Sequence, residues 1–535
     1  MSAREPVLVG GRWQASLDAA GEFRAFDPTR AVEVGAAFPI SGAQDARAAL
    51  ASACAAAEEL AACAPARIGA FLDAYAAAIE ADGEALVELA HLETALPARP
   101  RLAEVELPRA SGQLRQAARA ARERSWTQPI IDTAAGLRSH LAPLRKPVLI
   151  FGPNNFPFAF NAVAGSDFAS AIAARNPVIA KVHPSHPGTS QRLAQLAHRA
   201  LLDAGLPAQS LQVLYHLDPA LGLELAGDAR LGALAFTGSR SAGLALKAAA
   251  DAAGVPAYLE LSSINPVFLL EGALRERGEA LAQEFFASCT LGVGQFCTNP
   301  GVVVVPRGEA GDAFVAAAAA RFDAAPAGTM FSQGVLDHLR AGVAAWRAAG
   351  AQPLGGDVAA DGEGYRVRPA LLGVDAAAFV ADRRLQSEAF GPASLAVRVD
   401  GIDEALQVAA ALEGNLTGTI YGGDSAADDD DWRRLAGALR PRVGRLIDGR
   451  MPTGVAVSAA MNHGGPYPST GHPGFTAVGM PSAIRRFAAL HCYDHVRQDA
   501  LPDELRDRNP GGLSRWVDGG WTLDDIATKT DGTTA

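Results

Sequence analysis

The stretch that decides the fold is residues 146–184, KPVLIFGPNNFPFAFNAVAGSDFASAIAARNPVIAKVHP. Its apolar runs KPVLIFG and NPVIAKV are predicted as strands, and the segment FNAVAGSDFASAIAA between them is predicted as a helix. Apolar strands that alternate with helices of this length are typical of a parallel sheet covered on both faces. The stretch therefore predicts an α/β fold.

The same alternation continues toward the C-terminus. A helix closed by Gly205 precedes the strand LQVLYH, and the helix DPALGLELAG precedes the strand LGALAFTG. After residue 260 a second succession starts with INPVFLL, the helix EALAQEFFASCTLG and the strand PGVVVVP, and it runs on to GRLIDG. We therefore expect two α/β units, with ligands bound at the carboxyl ends of the strands.

Composition and charge narrow the classes of function. The 535 residues carry a formal net charge of -11, with 49% hydrophobic and 20% charged residues. An acidic chain without a long basic block is not expected to bind nucleic acid or an anionic membrane surface. No apolar run has the length of a membrane span, and the start MSAREPVLVGGRWQ lacks the apolar core of a signal peptide. We expect a cytoplasmic protein.

One cysteine stands apart from the others. Cys297 lies in TLGVGQFCTNPGVVVV, directly after a turn that contains Gly292 and Gly294. Its thiolate could be a nucleophile, but a buried structural cysteine explains the residue equally well. The chain has no CxxC pair, which favours free thiols, and His463 and His472 lack the spacing and companions of a metal site, so no metal is predicted. The remaining cysteines are interpreted as structural; they are Cys54, Cys63, Cys289 and Cys492.

Polar residues near the predicted strand ends could assist a nucleophile. Glu260 lies within the apolar strand of AYLELSSINP, where burial would raise its pKa and suit it to act as a general base. A hydrogen-bonded structural glutamate is the alternative. Asn154 and Asn155 follow the strand KPVLIFG, where a side-chain amide could stabilise an oxyanion, although asparagine is also common in turns.

The segment AFTGSRSAG predicts a phosphate site. It places Thr237, Gly238 and Ser239 at the start of a helix, whose free N–H groups attract anions. Capping of the helix by Ser239 explains the same residues, and the two interpretations are compatible.

Together these motifs resemble the aldehyde dehydrogenase superfamily, over almost the whole chain. The matching elements occur in the order of the family: Asn155-Phe156-Pro157, the strand end at Lys181, Phe236 to Ser239, Glu260-Leu261, Gly294 to Cys297, and Glu388 to Pro392. The resemblance implies that Cys297 attacks the aldehyde, that Asn155 and the Cys297 N–H hold the oxyanion, and that Glu260 activates the hydrolytic water. The cofactor residues it implies are Lys181, Ser185, Thr237, Gly238, Ser239, Gly243, Glu388 and Phe390.

Two departures from the family pattern bear on the cofactor. Ser262 and Ser263 replace two glycines, which could shift the backbone beside the cofactor and substrate. Pro184 stands where members that prefer NAD commonly carry an acidic residue for the ribose hydroxyls. The resemblance therefore implies NADP as cofactor, with NAD as the alternative.

The segment VSAAMNHGGPYPSTGHPGFTAVGMPSAIRRFAAL narrows the resemblance to a branch. It is similar to the 2,5-dioxovalerate (α-ketoglutarate semialdehyde) dehydrogenases and to an NADP-dependent fatty aldehyde dehydrogenase. A semialdehyde with a carboxylate needs a cation or several donors, and Arg485 and Arg486 are expected in solvent or at an interface instead. The substrate residues that we expect are Phe156, Phe158, His463 and Phe475, which would suit aliphatic or aromatic aldehydes equally well.

The resemblance also implies an architecture, partners and rival functions. The implied fold is a Rossmann-like parallel-sheet cofactor domain, an α/β catalytic domain and a small oligomerisation element, assembled as a homodimer or homotetramer. The expected ranges are 1–125 and 146–260 for the cofactor domain, 126–145 for the oligomerisation segment, 261–455 for the catalytic domain, and 456–535 for the return to the cofactor domain, the substrate loop and the tail. The rivals are a medium-chain, long-chain or aromatic aldehyde dehydrogenase, a CoA-acylating semialdehyde dehydrogenase, and an inactive scaffold.

Overall fold

The computed structural model describes residues 4–424 and 426–527, and the outermost residues of the predicted terminal ranges lie outside the described residues. The α-helices are α1 Ala43–Ala62, α2 Pro65–Ala81, α3 Gly83–Thr94, α4 Leu107–Glu123, α5 Ser166–Ala173, α6 Pro187–Asp203, α7 Pro219–Ala226, α8 Arg240–Ala252, α9 Glu271–Thr290, α10 Glu309–Ala324, α11 Gln333–Ala348, α12 Ala376–Ala381, α13 Ile402–Ala411 and α14 Asp429–Leu439. A π-helical segment, Ala98–Glu106, leads into α4, and the longer 3₁₀ segments are Leu291–Gly294, Arg383–Gln386 and Ser482–Phe487.

The strands fall into two large sheets and three smaller ones. They are β1 Val7–Val9, β2 Arg12–Gln14, β3 Gly21–Asp27, β4 Val32–Ile40, β5 Ile130–Asp132, β6 Leu137–Pro143, β7 Val148–Phe151, β8 Val178–Lys181, β9 Leu211–Leu214, β10 Ala233–Thr237, β11 Ala257–Glu260, β12 Val267–Leu269, β13 Val302–Pro306, β14 Gly328–Thr329, β15 Gln352–Gly356, β16 Arg366–Val367, β17 Ala370–Asp375, β18 Ala393–Val399, β19 Asn415–Tyr421, β20 Val443–Asp448, β21 Ala488–Asp494, β22 Arg515–Val517 and β23 Gly520–Thr522.

The first sheet contains the strands predicted around residue 150. Its order is β11-β10-β7-β8-β9-β1-β2, with β11 to β9 parallel and β1 and β2 antiparallel at one edge. Every residue of β7 and β9 is buried. Because successive side chains point to opposite faces, both faces of this sheet are covered, as the apolar runs predicted.

The register of the first sheet brings four strand ends together. Phe151 pairs with Lys181 and with Phe236, and Thr237 pairs with Glu260. These residues come from strands that are far apart in the chain, yet they form one edge of the sheet. The polar residues at this edge therefore face a common space.

The second sheet is formed by the later succession of elements. Its order is β15-β17-β18-β13-β12-β19-β20, and all its pairs are parallel except β15 with β17. Leu395, Val304 and Phe268 belong to its buried core, together with Trp346 from α11. The prediction of two α/β units is confirmed in outline, whereas the domain boundaries stay a prediction.

A third sheet joins residues distant in sequence. Its order is β21-β6-β5-β22-β23, so residues 130–143 pair with strands from the last part of the chain. Leu490 on β21 is 71% exposed and Trp521 on β23 is 62% exposed, so this sheet presents large apolar side chains to solvent. Within the described chain, no helix combines the length and apolarity needed to cross a membrane.

Two local predictions are wrong. The helix predicted for residues 160–174 begins only at Ser166, because the Asn161 amide bonds Pro157 O and Ser190 Oγ and holds the preceding residues in turns. Glu260 is the last residue of β11 rather than a residue within the strand. Its side chain therefore lies at the ligand-binding edge of the sheet.

Candidate active site

A cavity of about 530 Å³ opens at the carboxyl ends of the first sheet. Its walls come from both α/β units, because residues after β7, β8, β10 and β11 face residues of the second unit across it. The lining residues that the sequence analysis selected are Asn155, Lys181, Thr237, Gly238, Ser239, Glu260, Cys297, Glu388 and Phe390. The structure thus brings together most of the catalytic and cofactor residues predicted from the motifs.

His463 reaches Glu260 because the loop after it pairs with the end of β11. The Leu261 N–H donates to Ser469 O at 2.8 Å, and Glu260 forms an isolated antiparallel bridge with Thr470. This contact places the His463 ring 2.8 Å from Glu260, measured from Nε2 to Oε1, with both side chains almost fully buried. His463 was predicted as a substrate residue, and the structure places it in contact with Glu260, the predicted base.

The turn before Cys297 is held in an uncommon backbone conformation. Gly292, Val293 and Gly294 have φ values of 57°, 58° and 66°, a region that a β-branched residue such as valine rarely adopts. Gly294 has no room for a side chain, because a Cβ there would lie 2.3 Å from the backbone of Gly391. Close backbone approach therefore fixes Cys297 beside the segment that carries Glu388.

The three reactive side chains form one cluster. Cys297 Sγ lies 3.5 Å from His463 Nε2, and the ligand atoms of Cys297, His463 and Glu260 all lie within 4.8 Å of one another. The shorter contact favours the tautomer in which Nε2–H donates to Glu260, and the same N–H faces the sulfur. These three donors could also take a metal ion, so the expected absence of a metal stays a prediction.

The charges of this cluster set opposite pKa shifts. Burial raises the pKa of Cys297 well above its ordinary value, and the negative charge of Glu260 raises it further. Burial also tends to raise the pKa of Glu260, but His463, the Cys297 thiol and the Arg109 charge outweigh it, so this pKa is lowered. The prediction of a raised pKa for Glu260 is therefore wrong, because these neighbours favour the ionised form. Both shifts favour a neutral thiol beside a carboxylate.

Asn155 is positioned by a buried ionic network. Its Nδ2 donates to Gln295 O at 3.1 Å, which leaves its second amide hydrogen for a ligand. Arg101 Nη2 donates to Asn155 O at 3.1 Å, and Arg101 also pairs with Glu106. Because its backbone and side chain are both held, Asn155 can present a fixed donor to an oxyanion.

The phosphate and ribose residues fit a nucleotide cofactor. Lys181 has no carboxylate partner among the described residues, and its burial lowers its pKa to about 8. Ser239 caps α8, since its hydroxyl accepts from the Ala242 N–H at 3.4 Å, and the free N–H groups of this helix end face the cavity. An unpaired cation and a helix N-terminus are suited to phosphate oxygens. Ser185 and Gly243 do not line the cavity; a Cβ at Gly243 would lie 2.3 Å from Leu261, so this glycine serves close packing.

Ser262 and Ser263, the two serines that replace family glycines, lie beside Glu388. Burial raises the pKa of Glu388 to about 7, and the Ser262 hydroxyl and the Ser263 N–H act in the opposite direction. The Ser263 hydroxyl also accepts from the Leu416 N–H at 3.0 Å. The two serines that replace family glycines thus hold the strand-to-loop connection beside Glu388.

Sequence reasoning missed a buried carboxylate at the N-terminus of α6. Glu93 accepts from the Gly188 N–H at 2.8 Å, and from the backbone and hydroxyl of Thr189 at 2.9 and 2.7 Å. Burial raises the pKa of Glu93 to about 7. The N-terminus of α6 is therefore already occupied by a side chain, and no local motif around Glu93 indicated this.

Aromatic rings cluster beside His463. Phe156 packs against Phe160 and Phe296 at centroid distances of 5.0 and 5.6 Å, and Phe160 lies 5.9 Å from the His463 ring. Phe160 and Phe296 were not predicted, although the spacing of Phe156 and Phe160 in FGPNNFPFAF was a signal for them.

Two of the predicted substrate rings lie elsewhere. Phe158 is fully buried in the core of the first sheet, which keeps it out of this ring cluster. Phe475 packs on Tyr258 at 5.7 Å and under the Arg486 guanidinium. Arg486 itself is buried and pairs with Asp167 at 2.7 Å, so its predicted exposure is wrong.

Comparisons with known proteins agree with this arrangement. The profile of the Aldehyde dehydrogenase family matches residues 13–464. The chain is 41% identical over 526 residues to alpha-ketoglutaric semialdehyde dehydrogenase 2 of Azospirillum brasilense, covering 96% of this chain and 98% of that relative. It is 36% identical over 464 residues to alpha-ketoglutaric semialdehyde dehydrogenase of Acinetobacter baylyi, covering 84% and 86%. The structure of aldehyde dehydrogenase C of Pseudomonas syringae, complexed with NAD⁺ and octanal, matches with a TM-score of 0.77 and 21% identity over 93% and 98% of the chains, which confirms the predicted fold.

Proposed function

The chain belongs to the aldehyde dehydrogenase family, and on this premise we propose that it oxidises an aldehyde to a carboxylic acid through a thioester on Cys297. The observation that carries the proposal is the cluster of Cys297, His463 and Glu260 within 4.8 Å at the wall of the cavity. A nucleophile, a hydrogen-bond donor and a base are the groups that this chemistry requires.

The first half of the reaction begins with transfer of the Cys297 thiol proton. Glu260 takes the proton from the Cys297 thiol, and the thiolate accepts the Nε2–H of His463. The sulfur attacks the aldehyde carbon, the C–S bond forms, and the carbonyl oxygen becomes an oxyanion held by Asn155 and the Cys297 N–H. Bound nicotinamide nucleotide supplies the hydride acceptor that the oxidation needs.

The second half of the reaction uses Glu260 as a base toward water. After its proton leaves to solvent, Glu260 is again a carboxylate, and its Oε2 has no hydrogen-bond partner within the described chain. It accepts a proton from water, the oxygen attacks the thioester carbon, and the C–S bond breaks. The product is the free acid, and Cys297 leaves as thiolate.

We propose NADP as the preferred cofactor and 2,5-dioxovalerate as the substrate. Lys181 offers a buried cation for the 2′-phosphate, and Pro184 supplies no carboxylate to repel it. The named activity of the two relatives at 41% and 36% identity supports the semialdehyde. The ring cluster of Phe156, Phe160 and Phe296 favours an aliphatic aldehyde as the second candidate.

Initial rates of reduced nucleotide formation test both choices. We expect kcat/KM for 2,5-dioxovalerate to exceed that for hexanal by about 100-fold, because a bound carboxylate adds charge-assisted hydrogen bonds. We also expect NADP to be preferred at about pH 7 and less so at about pH 9, since Lys181, with a pKa of about 8, loses its charge as the pH rises.

The outcomes separate the rival functions. Preference for hexanal would replace the semialdehyde proposal with the aliphatic one. An NADP preference that does not change with pH would remove Lys181 from phosphate recognition. Turnover that rises with added CoA and yields no free acid would indicate the CoA-acylating reaction, against which Glu260 argues.

His463 is expected to stabilise the thiolate form of Cys297 by a hydrogen bond. We expect His463→Gln to lower kcat about 10- to 100-fold, because the thiolate loses a donor that is charge-assisted. The pH at which iodoacetamide alkylates Cys297 at half its maximal rate should rise in this variant. His472→Gln is the matched control, because His472 is an exposed histidine in the same loop. Unchanged alkylation and kcat in His463→Gln would leave the ring a structural role only.

The homodimer or homotetramer stays a prediction. The exposed Leu490 and Trp521 on the third sheet support self-association there, because large apolar side chains in solvent commonly mark an interface.

A further inference from the structure

Arg109, on α4, is a half-buried arginine with unpaired donors inside the protein. Its Nε and Nη2 are inaccessible to solvent and have no hydrogen-bond partner within the described residues. It also forms no ion pair with any of the described carboxylates. Burial lowers the pKa of Arg109, which reflects the cost of holding its charge away from water. A buried cation of this kind normally pairs with an anion.

The nearest carboxylate is already committed elsewhere. Glu106 pairs with Arg101 through one oxygen, and its other oxygen accepts from the Phe158 and Ala159 N–H groups at 2.8 and 3.1 Å. Arg109 therefore feels the charge of Glu106 without a direct bond to it. The pairing capacity of its guanidinium is left for a group that the chain does not supply.

Arg109 lies beside the aromatic rings that contact His463. Its guanidinium lies 5.0 Å from the Phe160 ring centroid and 5.7 Å from that of Phe156. Phe160 in turn contacts the His463 ring. The Arg109 charge lowers the pKa of both Cys297 and Glu260. The contacts from Cys297 to His463, from His463 to Phe160 and from Phe160 to Arg109 connect the nucleophile to a cation.

A second half-buried arginine, Arg445, does not offer the same opportunity. Arg445 Nη2 donates to Pro452 O and Gly454 O, each at 3.0 Å, and its Nη1 contacts Met461 Sδ at 3.9 Å. Its donors are used to hold the loop after β20. Arg109 is thus the better placed of the two for a substrate.

We propose that Arg109 binds the carboxylate at the far end of the semialdehyde substrate and so determines specificity; this inference rests on the proposed function. The bond is an ionic, forked pair between guanidinium and carboxylate, formed while the aldehyde carbon is at Cys297. The aromatic rings of Phe156 and Phe160 enclose the carbon chain between the two ends.

Specificity in Arg109→Met tests the proposal. We expect kcat/KM for 2,5-dioxovalerate to fall about 100-fold, because the substrate carboxylate loses its ionic partner, and kcat/KM for hexanal to stay within about 3-fold. The inhibition constant of glutarate against hexanal oxidation should rise about 30-fold or more for the same reason. Arg119→Met, an exposed arginine on the same helix, is the matched control and should keep wild-type constants.

Each other outcome overturns a defined part of the account. A wild-type enzyme that prefers hexanal contradicts the proposed substrate before Arg109 is considered. A wild-type preference for dioxovalerate that survives in Arg109→Met contradicts the role of Arg109 alone. Equal loss of both substrates would make Arg109 structural. If the methionine variant does not fold, Arg109→Lys keeps the charge without the fork, and selective loss for dioxovalerate and glutarate is expected there as well.

Discussion

Replacement of Cys297 by alanine is expected to lower kcat about 10⁴-fold or more, because the sulfur is the atom that forms and breaks the bond to the substrate carbon. This corresponds to about 5.5 kcal/mol of lost transition-state stabilisation, at about 1.36 kcal/mol for each factor of ten. Initial rates of reduced nucleotide formation measure the loss. Binding of the cofactor should be unchanged, since the contacts that we propose for it are at Lys181, Glu388 and the start of α8.

A second cysteine variant provides the control for Cys297→Ala. Cys54→Ala removes a partly buried thiol from α1, far from the cavity, and should leave kcat within about 2-fold. Substantial turnover by Cys297→Ala, with the same substrate, would mean that the reaction does not pass through this thiol. Retention of the biological role by that variant would favour the inactive scaffold.

Glu260→Gln is expected to lower steady-state turnover about 10³-fold and to produce a burst of reduced nucleotide near one equivalent per active site. The charge of Glu260 raises the pKa of Cys297, so its removal lowers that pKa and makes the thiolate easier to form. Acylation therefore remains possible, because the thiol proton can pass to solvent instead of to Glu260, while the hydrolytic water has lost its base. Rapid-mixing absorbance measurements separate the burst from the slow phase.

The control for the glutamate is an exposed one. Glu88→Gln, on the outer face of α3, should show wild-type turnover and no burst. A Glu260→Gln enzyme that loses the first turnover as completely as the later ones would show that solvent cannot replace Glu260 as the acceptor of the thiol proton, and it would contradict the expected burst. Faster alkylation of Cys297 in Glu260→Gln would independently confirm the direction of the pKa shift.

The fold was predictable because its signal is local. Apolar runs such as residues 148–151 and 302–305 are short, rich in β-branched residues and flanked by glycine and proline, which favours buried strands. The residues that follow those strands meet at one edge in any parallel sheet, so the assembly of Asn155, Lys181, Thr237 and Glu260 followed from topology. Errors arose where side-chain hydrogen bonds prevent the element that the apolar pattern predicts, as the bonds of the Asn161 amide do before α5.

The rest of the site depends on contacts between distant segments. The contact of His463 with Glu260 requires the pairing of residues 469–470 with the end of β11. Hydrophobic periodicity indicates local secondary structure and does not indicate such long-range pairing. The net pKa of Glu260 depends on that neighbour as well. Arg109 lies in an ordinary polar helix sequence, and only the packing around it shows that its charge is buried and unpaired.

The most direct test of the central claim is the mass of the acylated protein. Glu260→Gln is mixed with 2,5-dioxovalerate and oxidised nucleotide, quenched in acid within the burst, and analysed by intact and peptide mass spectrometry. The account predicts one added acyl group, on the peptide that contains Cys297, and its release by hydroxylamine. Absence of the adduct during a full burst, or its location on another residue, would contradict covalent catalysis by Cys297.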